Sequence, residues 1–368
     1  MVVNYDENNL LNLSNSILKY FDINPFNNTL VSLDKLLEEK QYKNVILFVC
    51  DGLGNYNLNR LLPTNSFLKQ NKRMVLSSVF PPTTTAATTT LLSGLTPAIH
   101  HYLGWDMYFK DTNETISIFR NLTKDLGKQP KKSISDRNYM NYKSIVDLIN
   151  ETSKNSAYFA YPFSKCNKCM NIDEVIDRIK ELTKIDSKKF IYAYIENPDK
   201  LMHEFGINSK VVKEEVESIN KKLENLSKEL KDTIMLLTAD HGLIATKYIV
   251  LKHDLPKLYD MLERTTSIES RAVGLKLKKI VKKEDFLNLY NKELKHDFQL
   301  LTIDEVIENK LFGNEDNTYL RDAIGDYLLI ATKNISINYD DNSPIFKANH
   351  AGFTNREMKV PLVIIECD

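Results

Sequence analysis

Cysteine is scarce, with four in 368 residues, and so few at this length do not make a disulfide framework. Cys166 and Cys169 form a single C-x-x-C pair, and a structural zinc there would need two further ligands. Cys50 ends an apolar run and reads as a small core residue. Net charge is lacking too: 49 lysines and arginines face 49 aspartates and glutamates, so no global field draws in polymeric nucleic acid or an anionic membrane. The basic runs at 276–279 and 282–283 read as solvated faces. No apolar run approaches the ~20 residues that cross a bilayer. The first ten residues show no cationic segment followed by an apolar one, so no secretory signal is expected. Internal repeats and low-complexity linkers are absent. These absences lead to the expectation of a soluble, cytoplasmic protein with reduced thiols and no membrane or polymeric nucleic acid as partner. They leave the oligomeric state open.

What is present is ordinary globular composition, 42% hydrophobic and 27% charged. The length allows one large or two modest domains. Leu10, Leu11, Leu13, Ile17, Leu18 and Phe21 recur at helical spacing and predict a helix over 8–21. Ser32 reads as the cap of a second helix through Lys40. The run 45–50 is apolar throughout, as a central parallel strand buried on both faces must be. Similar runs stand at 190–195, 233–237 and 360–365. A helix over 210–230, capped by Ser209, shows Val212, Val216, Ile219, Leu223 and Leu226 on one face.

This alternation predicts an α/β fold with a mostly parallel central sheet sandwiched by helices. Residues 1–44 are expected to form a helical segment packed on the core, and 45–243 with 348–368 the catalytic core. Residues 244–347 are expected as an inserted cap or substrate region, with a helix-like stretch to Leu294 and a strand over 327–331.

Five stretches carry chemistry. Asp51 follows the 45–50 run. Phe80-Pro81-Pro82-Thr83-Thr84-Thr85-Ala86-Ala87 leads into an alanine- and leucine-containing helix, with a threonine at its N-terminus, where free N–H groups and the dipole favour an anion. Asp199 and His203 are one helical turn apart after Asn197-Pro198. Asp240-His241-Gly242 sets an oxygen and a nitrogen ligand side by side after a strand, and His350 stands in Asn349-His350-Ala351-Gly352. Each alone has a plain structural alternative: a capping threonine, a surface helix pair, a metal-free Asp-His turn, a packed histidine. Together they place three acids at or just beyond three strand ends, where ligands bind in open α/β sheets. His253-Asp254 competes for a role but lacks a further motif around it.

In order and spacing the stretches resemble the alkaline phosphatase superfamily, in its type I phosphodiesterase/nucleotide pyrophosphatase branch, from about residue 45 to 365. D-G-L at Asp51, F-P-P-T-T-T-A-A at Phe80, S-G-L-T-P at Ser93, N-P-D-K-L-M-H at Asn197, A-D-H-G at Ala239 and N-H-A-G-F-T-N-R-E-M-K-V-P-L at Asn349 carry the resemblance. It implies a pair of divalent cations, zinc with manganese admitted by the same ligand types. Asp51, Asp240 and His241 would hold one, together with the hydroxyl of the nucleophile Thr84, and Asp199, His203 and His350 the other. Thr83 and Thr85 remain alternatives to Thr84, because three identical residues blur the register.

The implied reaction is hydrolysis of a small phosphodiester or pyrophosphate through phosphothreonine. A phosphomonoesterase, a phosphonate hydrolase and a catalytically inactive metal-binding scaffold are the alternatives. One departure stands out. The asparagine that helps hold a phosphate oxygen in nucleotide pyrophosphatases has no counterpart in Leu103-Gly104-Trp105-Asp106. Trp105, the single tryptophan, is either a stacking surface for substrate or a packed aromatic.

Overall fold

The computed structural model describes residues 3–161, 171–314 and 318–368. The Cys166/Cys169 pair lies outside the described residues. The strand Asn44–Cys50 is buried along its whole length and sits inside a six-stranded sheet. It pairs in parallel with Lys189–Ile195 on one side and Thr233–Thr238 on the other. Ser156–Ala160 extends the sheet in parallel beyond Lys189–Ile195. On the opposite flank Lys359–Cys367 runs antiparallel to both Thr233–Thr238 and the edge strand Lys72–Ser77. The sheet is therefore mostly parallel, flanked by helices, as its apolar runs require.

The three central strands, Thr233–Thr238, Asn44–Cys50 and Lys189–Ile195, are neighbours in space although far apart in sequence. Their carboxyl ends lie side by side. That is the crevice in which such sheets bind ligands.

The expected first helix is Leu10–Tyr20, opened by a reciprocal cap between Asn9 and Asn12. Its buried Ser14 and Asn15 dock it on the helix Thr84–Ser93, by hydrogen bonds from Ser14 Oγ to the Leu91 carbonyl (3.0 Å) and from Asn15 Nδ2 to the Gly94 carbonyl (3.0 Å). The N-terminal segment thus braces the helix that begins with Thr84. Ser32 does not cap the second helix. That helix is Val31–Lys40, preceded by Leu30, whose N–H is taken by Ser16 Oγ at 2.8 Å from the first helix. The helix Lys210–Glu229 is capped by Ser209 and buries its five expected apolar residues.

A second, seven-stranded antiparallel sheet lies apart from the first. Its order is Phe298–Thr302, Tyr327–Ala331, Ala272–Leu275, Ser267–Ile268, Asp106–Phe109, Glu114–Ser117 and Leu122–Thr123. The expected division at residue 244 does not follow sheet membership. Strands from 106–123, expected with the catalytic core, join this sheet through a single pairing of Ile268 with Asp106. Short runs such as 106–109 carry no periodicity that would reveal this pairing. Among the described residues no helix is long and apolar enough to cross a membrane.

One buried ion pair ties this second sheet to the catalytic side. Arg271, just before the Ala272–Leu275 strand, donates to both carboxylate oxygens of Glu357 at 2.7 and 2.9 Å, and both side chains are wholly buried. Arg271 also donates to the carbonyls of Lys333 and Ile335. Glu357 in turn accepts from the Gly352 N–H (2.7 Å) and the Thr354 hydroxyl (2.6 Å), fixing the loop that follows His350. Removing one partner strands the other charge in the interior. Arg271→Met is expected to lower unfolding free energy by about 3–5 kcal/mol. Urea denaturation of the variant checks this, and a loss below about 1 kcal/mol contradicts a structural role for the pair.

Candidate active site

Asp51 is the first residue after its strand, and its N–H continues the ladder to the Ile195 carbonyl at 3.1 Å. Its own carbonyl accepts from the Asp199 N–H at 3.1 Å, which fastens the start of the helix Asp199–Phe205 to the Asp51 turn. Asp240 stands two residues beyond Thr238 and is fully buried. Its Oδ1 accepts from the N–H groups of Gly52 and His241, each at 3.0 Å. Gly242 makes the packing possible: a Cβ there would lie 2.2 Å from the Arg356 carbonyl oxygen.

Each acid is held by one oxygen and offers the other. Tyr194 donates a short hydrogen bond to Asp51 Oδ2, while Oδ1 is buried without a partner. Asp240 Oδ2 and Asp199 Oδ1 are likewise buried and unpartnered among the described residues. His241 Nε2 lies 3.4 Å from Asp51 Oδ1, 3.5 Å from Asp240 Oδ2 and 3.2 Å from Thr84 Oγ1. His350 stacks on His241, with ring centroids 3.9 Å apart and planes 23° apart.

His203 Nε2 lies 3.3 Å from Asp199 Oδ2, and its Nδ1 donates to the Ala348 carbonyl at 2.8 Å. That second bond sets the tautomer of the neutral ring, with the proton on Nδ1 and Nε2 able to ligate. The Nδ1 atoms of His241 and His350 are also buried and unpartnered. Buried polar atoms without partners are costly. A convergent set of carboxylate oxygens and imidazole nitrogens fits divalent cations.

The ligand atoms fall into two groups, each within 4.8 Å mutually: Asp51, Asp240 and His241, and Asp199, His241 and His350. The first matches the trio expected from sequence. In the second, His241 lies between the two groups, and His203 stands a step outward, its ring 5.2 Å from that of His350. All six expected ligands are linked through these contacts into one cluster.

The three threonines separate clearly. Thr83 is the residue before the helix Thr84–Ser93, and its hydroxyl donates to Glu269 Oε1 at 2.5 Å. Thr85 Oγ1 is buried with no partner. Thr84, the first helical residue, sets its hydroxyl against His241. Trp105 packs edge-on against Phe119 at 5.9 Å, with the Arg120 guanidinium over its ring, and its backbone N–H donates to Glu269 Oε1 at 2.8 Å. His253 is exposed and paired with Asp341.

Charge crowding sets the protonation states. Burial, then the neighbouring Asp240 and Asp199, hold the Asp51 carboxyl well above the usual range. Burial also acts to raise Asp199, but His203 beside it, with His350 and His241, brings it below that range. Burial pulls His203 down, yet the Asp199 carboxylate leaves it raised. His350 is held well below the ordinary imidazole value by burial and by adjacent His241. Burial pushes Glu269 up to about 7, against the pull of the Thr83 hydroxyl and the Trp105 N–H.

Sequence reasoning missed Tyr194 and Glu269. Tyr194 had a faint signal, a hydroxyl in the strand next to that of Asp51. Glu269 had none, being one acid in Ile268-Glu269-Ser270.

A family model described as type I phosphodiesterase / nucleotide pyrophosphatase matches residues 45–354. No curated protein matches the chain. Among solved structures, murine ectonucleotide pyrophosphatase / phosphodiesterase 5, in an inactive form complexed with AMP, is 17% identical with a TM-score of 0.66, covering 86% of this chain and 87% of its own. The human protein of that name is 18% identical with a TM-score of 0.64, over 86% and 87%. Phosphonoacetate hydrolase from Sinorhizobium meliloti 1021, complexed with phosphonoformate, is 14% identical with a TM-score of 0.62, over 87% and 89%. At these identities the likeness is one of fold.

Without cations the crowded site has a definite pH signature. Asp51 and His203 both hold protons more tightly in the folded chain than in the unfolded one. Their contributions to stability are present below the unfolded values and are lost as pH rises through the folded ones. Asp199 and His350 act oppositely, but both have reached the same state folded and unfolded above about pH 7. The chelated protein is therefore expected to melt at falling temperature as pH rises above about 7. Excess zinc or manganese should reverse the fall, by about 2.7 kcal/mol per ion at a hundredfold excess over Kd. Thermal melts with and without chelator measure this, and a cation-independent Tm above about pH 7 contradicts it.

Proposed function

Because the chain belongs to the type I phosphodiesterase / nucleotide pyrophosphatase family, and is thus a phosphoric ester hydrolase, we propose that it cleaves a small phosphodiester or pyrophosphate through a covalent bond to Thr84. The observation that carries this reading is the placement of Thr84 Oγ1 at 3.2 Å from His241 Nε2, beside the unpartnered oxygens of Asp51 and Asp240. Asp51, Asp240 and His241 would hold one divalent cation, and Asp199, His203 and His350 a second, zinc or manganese by ligand type. When bound, such a pair lowers the pKa of an attacking hydroxyl and draws charge from the phosphoryl oxygens.

The chain's own residues do the rest. The helix start at Thr84 presents free N–H groups to an anionic phosphoryl group. Thr84 Oγ1 loses its proton to solvent as it forms the new bond to phosphorus. The bond to the leaving alcohol or phosphate breaks on the opposite side, and the departing oxygen takes a proton from water. Water then cleaves the phosphothreonine, releasing the phosphoryl product and restoring Thr84. Tyr194, through Asp51, and Ala348, through His203, keep the ligating side chains oriented. The murine neighbour of this fold supports the choice of residue and substrate class, since its threonine-to-alanine form is described as inactive and binds AMP.

Thr84→Ala is expected to abolish turnover of bis-p-nitrophenyl phosphate while cation content and Tm stay at wild-type values. Near-normal activity in that variant rejects Thr84 as the nucleophile. Wild-type rates on p-nitrophenyl phosphate and phosphonoacetate, set against the diester, separate diesterase from monoesterase and phosphonate hydrolase.

A further inference from the structure

Glu269 is the acid at this site for which the reaction has no use. It follows Ile268, which ends its strand at a φ of 72°, a conformation rare for a β-branched residue. Such outliers persist where the surrounding structure holds them, and they gather at functional sites. The approach is close: a Cβ at Gly104 would lie 2.6 Å from the Ile268 carbonyl oxygen. The bend carries Glu269 to the start of the nucleophile's helix.

There Oε1 accepts from Thr83 Oγ1 and from the Trp105 N–H, at 2.5 and 2.8 Å. The next residue, Ser270, accepts at Oγ from Asn349 Nδ2 at 2.7 Å. One short bend thus touches the residue before Thr84 and the residue before His350. Two donors fix Oε1, whereas among the described residues none reaches Oε2. The side chain is half-buried, so solvent reaches it, and its charge acts on His203. A structural carboxylate would have both oxygens satisfied, as those of Glu357 are.

We propose that Glu269 is a charge-selecting residue, a fixed carboxylate beside the reacting phosphoryl group that favours singly charged phosphodiesters over doubly charged phosphomonoesters. The inference rests on the phosphoesterase reading above and names the substrate class of that same site. A phosphoryl group bonded to Thr84 Oγ1 lies one residue from the hydroxyl that Glu269 grips. Each added negative charge on it is repelled by the carboxylate, whose half-buried position leaves the Coulomb repulsion only partly screened. Trp105 is tied to the same carboxylate through its backbone N–H and leaves the charge in place.

The test compares ligands of equal chemistry and unequal charge. Cation-loaded wild type and Glu269→Gln are titrated calorimetrically at pH 8 with inorganic phosphate, largely a dianion, and with dimethyl phosphate, a monoanion. Glu269→Gln should tighten phosphate binding by about tenfold, the relief of repulsion summed over the two charges of the ligand. Dimethyl phosphate should tighten by only about threefold, half that free energy, because it carries one charge where phosphate carries two. Glu269→Asp should keep the wild-type preference, and Glu269→Ala, a second neutral variant should the first fail to fold, should shift as Gln does.

Kinetically, the ratio of kcat/KM for bis-p-nitrophenyl phosphate to that for p-nitrophenyl phosphate should fall in both neutral variants, mainly through the monoester's KM. If the two ligands shift by the same factor or not at all, the charge-selecting role is overturned even in an active enzyme. If the wild type is inert on both nitrophenyl esters, the proposed reaction fails, and the binding contrast still decides the role of Glu269.

Discussion

Three carboxylates from distant parts of the chain are buried within reach of one another, and each is anchored through a single oxygen. Asp51 is held by Tyr194, Asp240 by the N–H groups of Gly52 and His241, and Asp199 through Oδ2, which lies 3.3 Å from His203 Nε2. The remaining oxygens converge with imidazole nitrogens and no cationic side chain among them. Such a cluster of like charge is unstable by itself. Its geometry makes sense as the protein half of a cation site, and the surrounding packing is what holds that half together.

Two braces reach the cluster from outside the central sheet. The Arg271–Glu357 pair fixes the loop after His350 from the second sheet, with hydrogen bonds on every carboxylate oxygen. The bend at Ile268–Ser270 grips Thr83 on one side and Asn349 on the other. The second sheet is therefore more than a lid. It positions the two segments that carry Thr84 and His350, and it brings the Glu269 carboxylate against Thr83. The N-terminal helix performs a matching service from the other side, docking on the Thr84–Ser93 helix through Ser14 and Asn15.

Much of this was legible in the sequence, for physical reasons. A strand buried on both faces must be apolar throughout, so 45–50, 190–195 and 233–237 announced themselves, and acids placed just after them had to fall at one edge. The helix over 210–230 showed its face through residues that are all buried. The second sheet was not legible, because its strands at 106–109 and 267–268 are too short for periodicity to register. Nothing local in the sequence marked the roles of Arg271, Glu357 and Glu269. Their roles come from pairings across 86 and 186 residues, which no local pattern encodes. The register of Thr83, Thr84 and Thr85 likewise needed the fold, since only the partner of each hydroxyl distinguishes them.

Anomalous diffraction from crystals grown with zinc and vanadate tests the central claim most directly. The account requires two peaks roughly 3.5–4 Å apart, one among Asp51, Asp240 and His241 and the other among Asp199, His203 and His350, with vanadium within bonding distance of Thr84 Oγ1. A single peak, or cations bound elsewhere while these side chains keep to themselves, contradicts it.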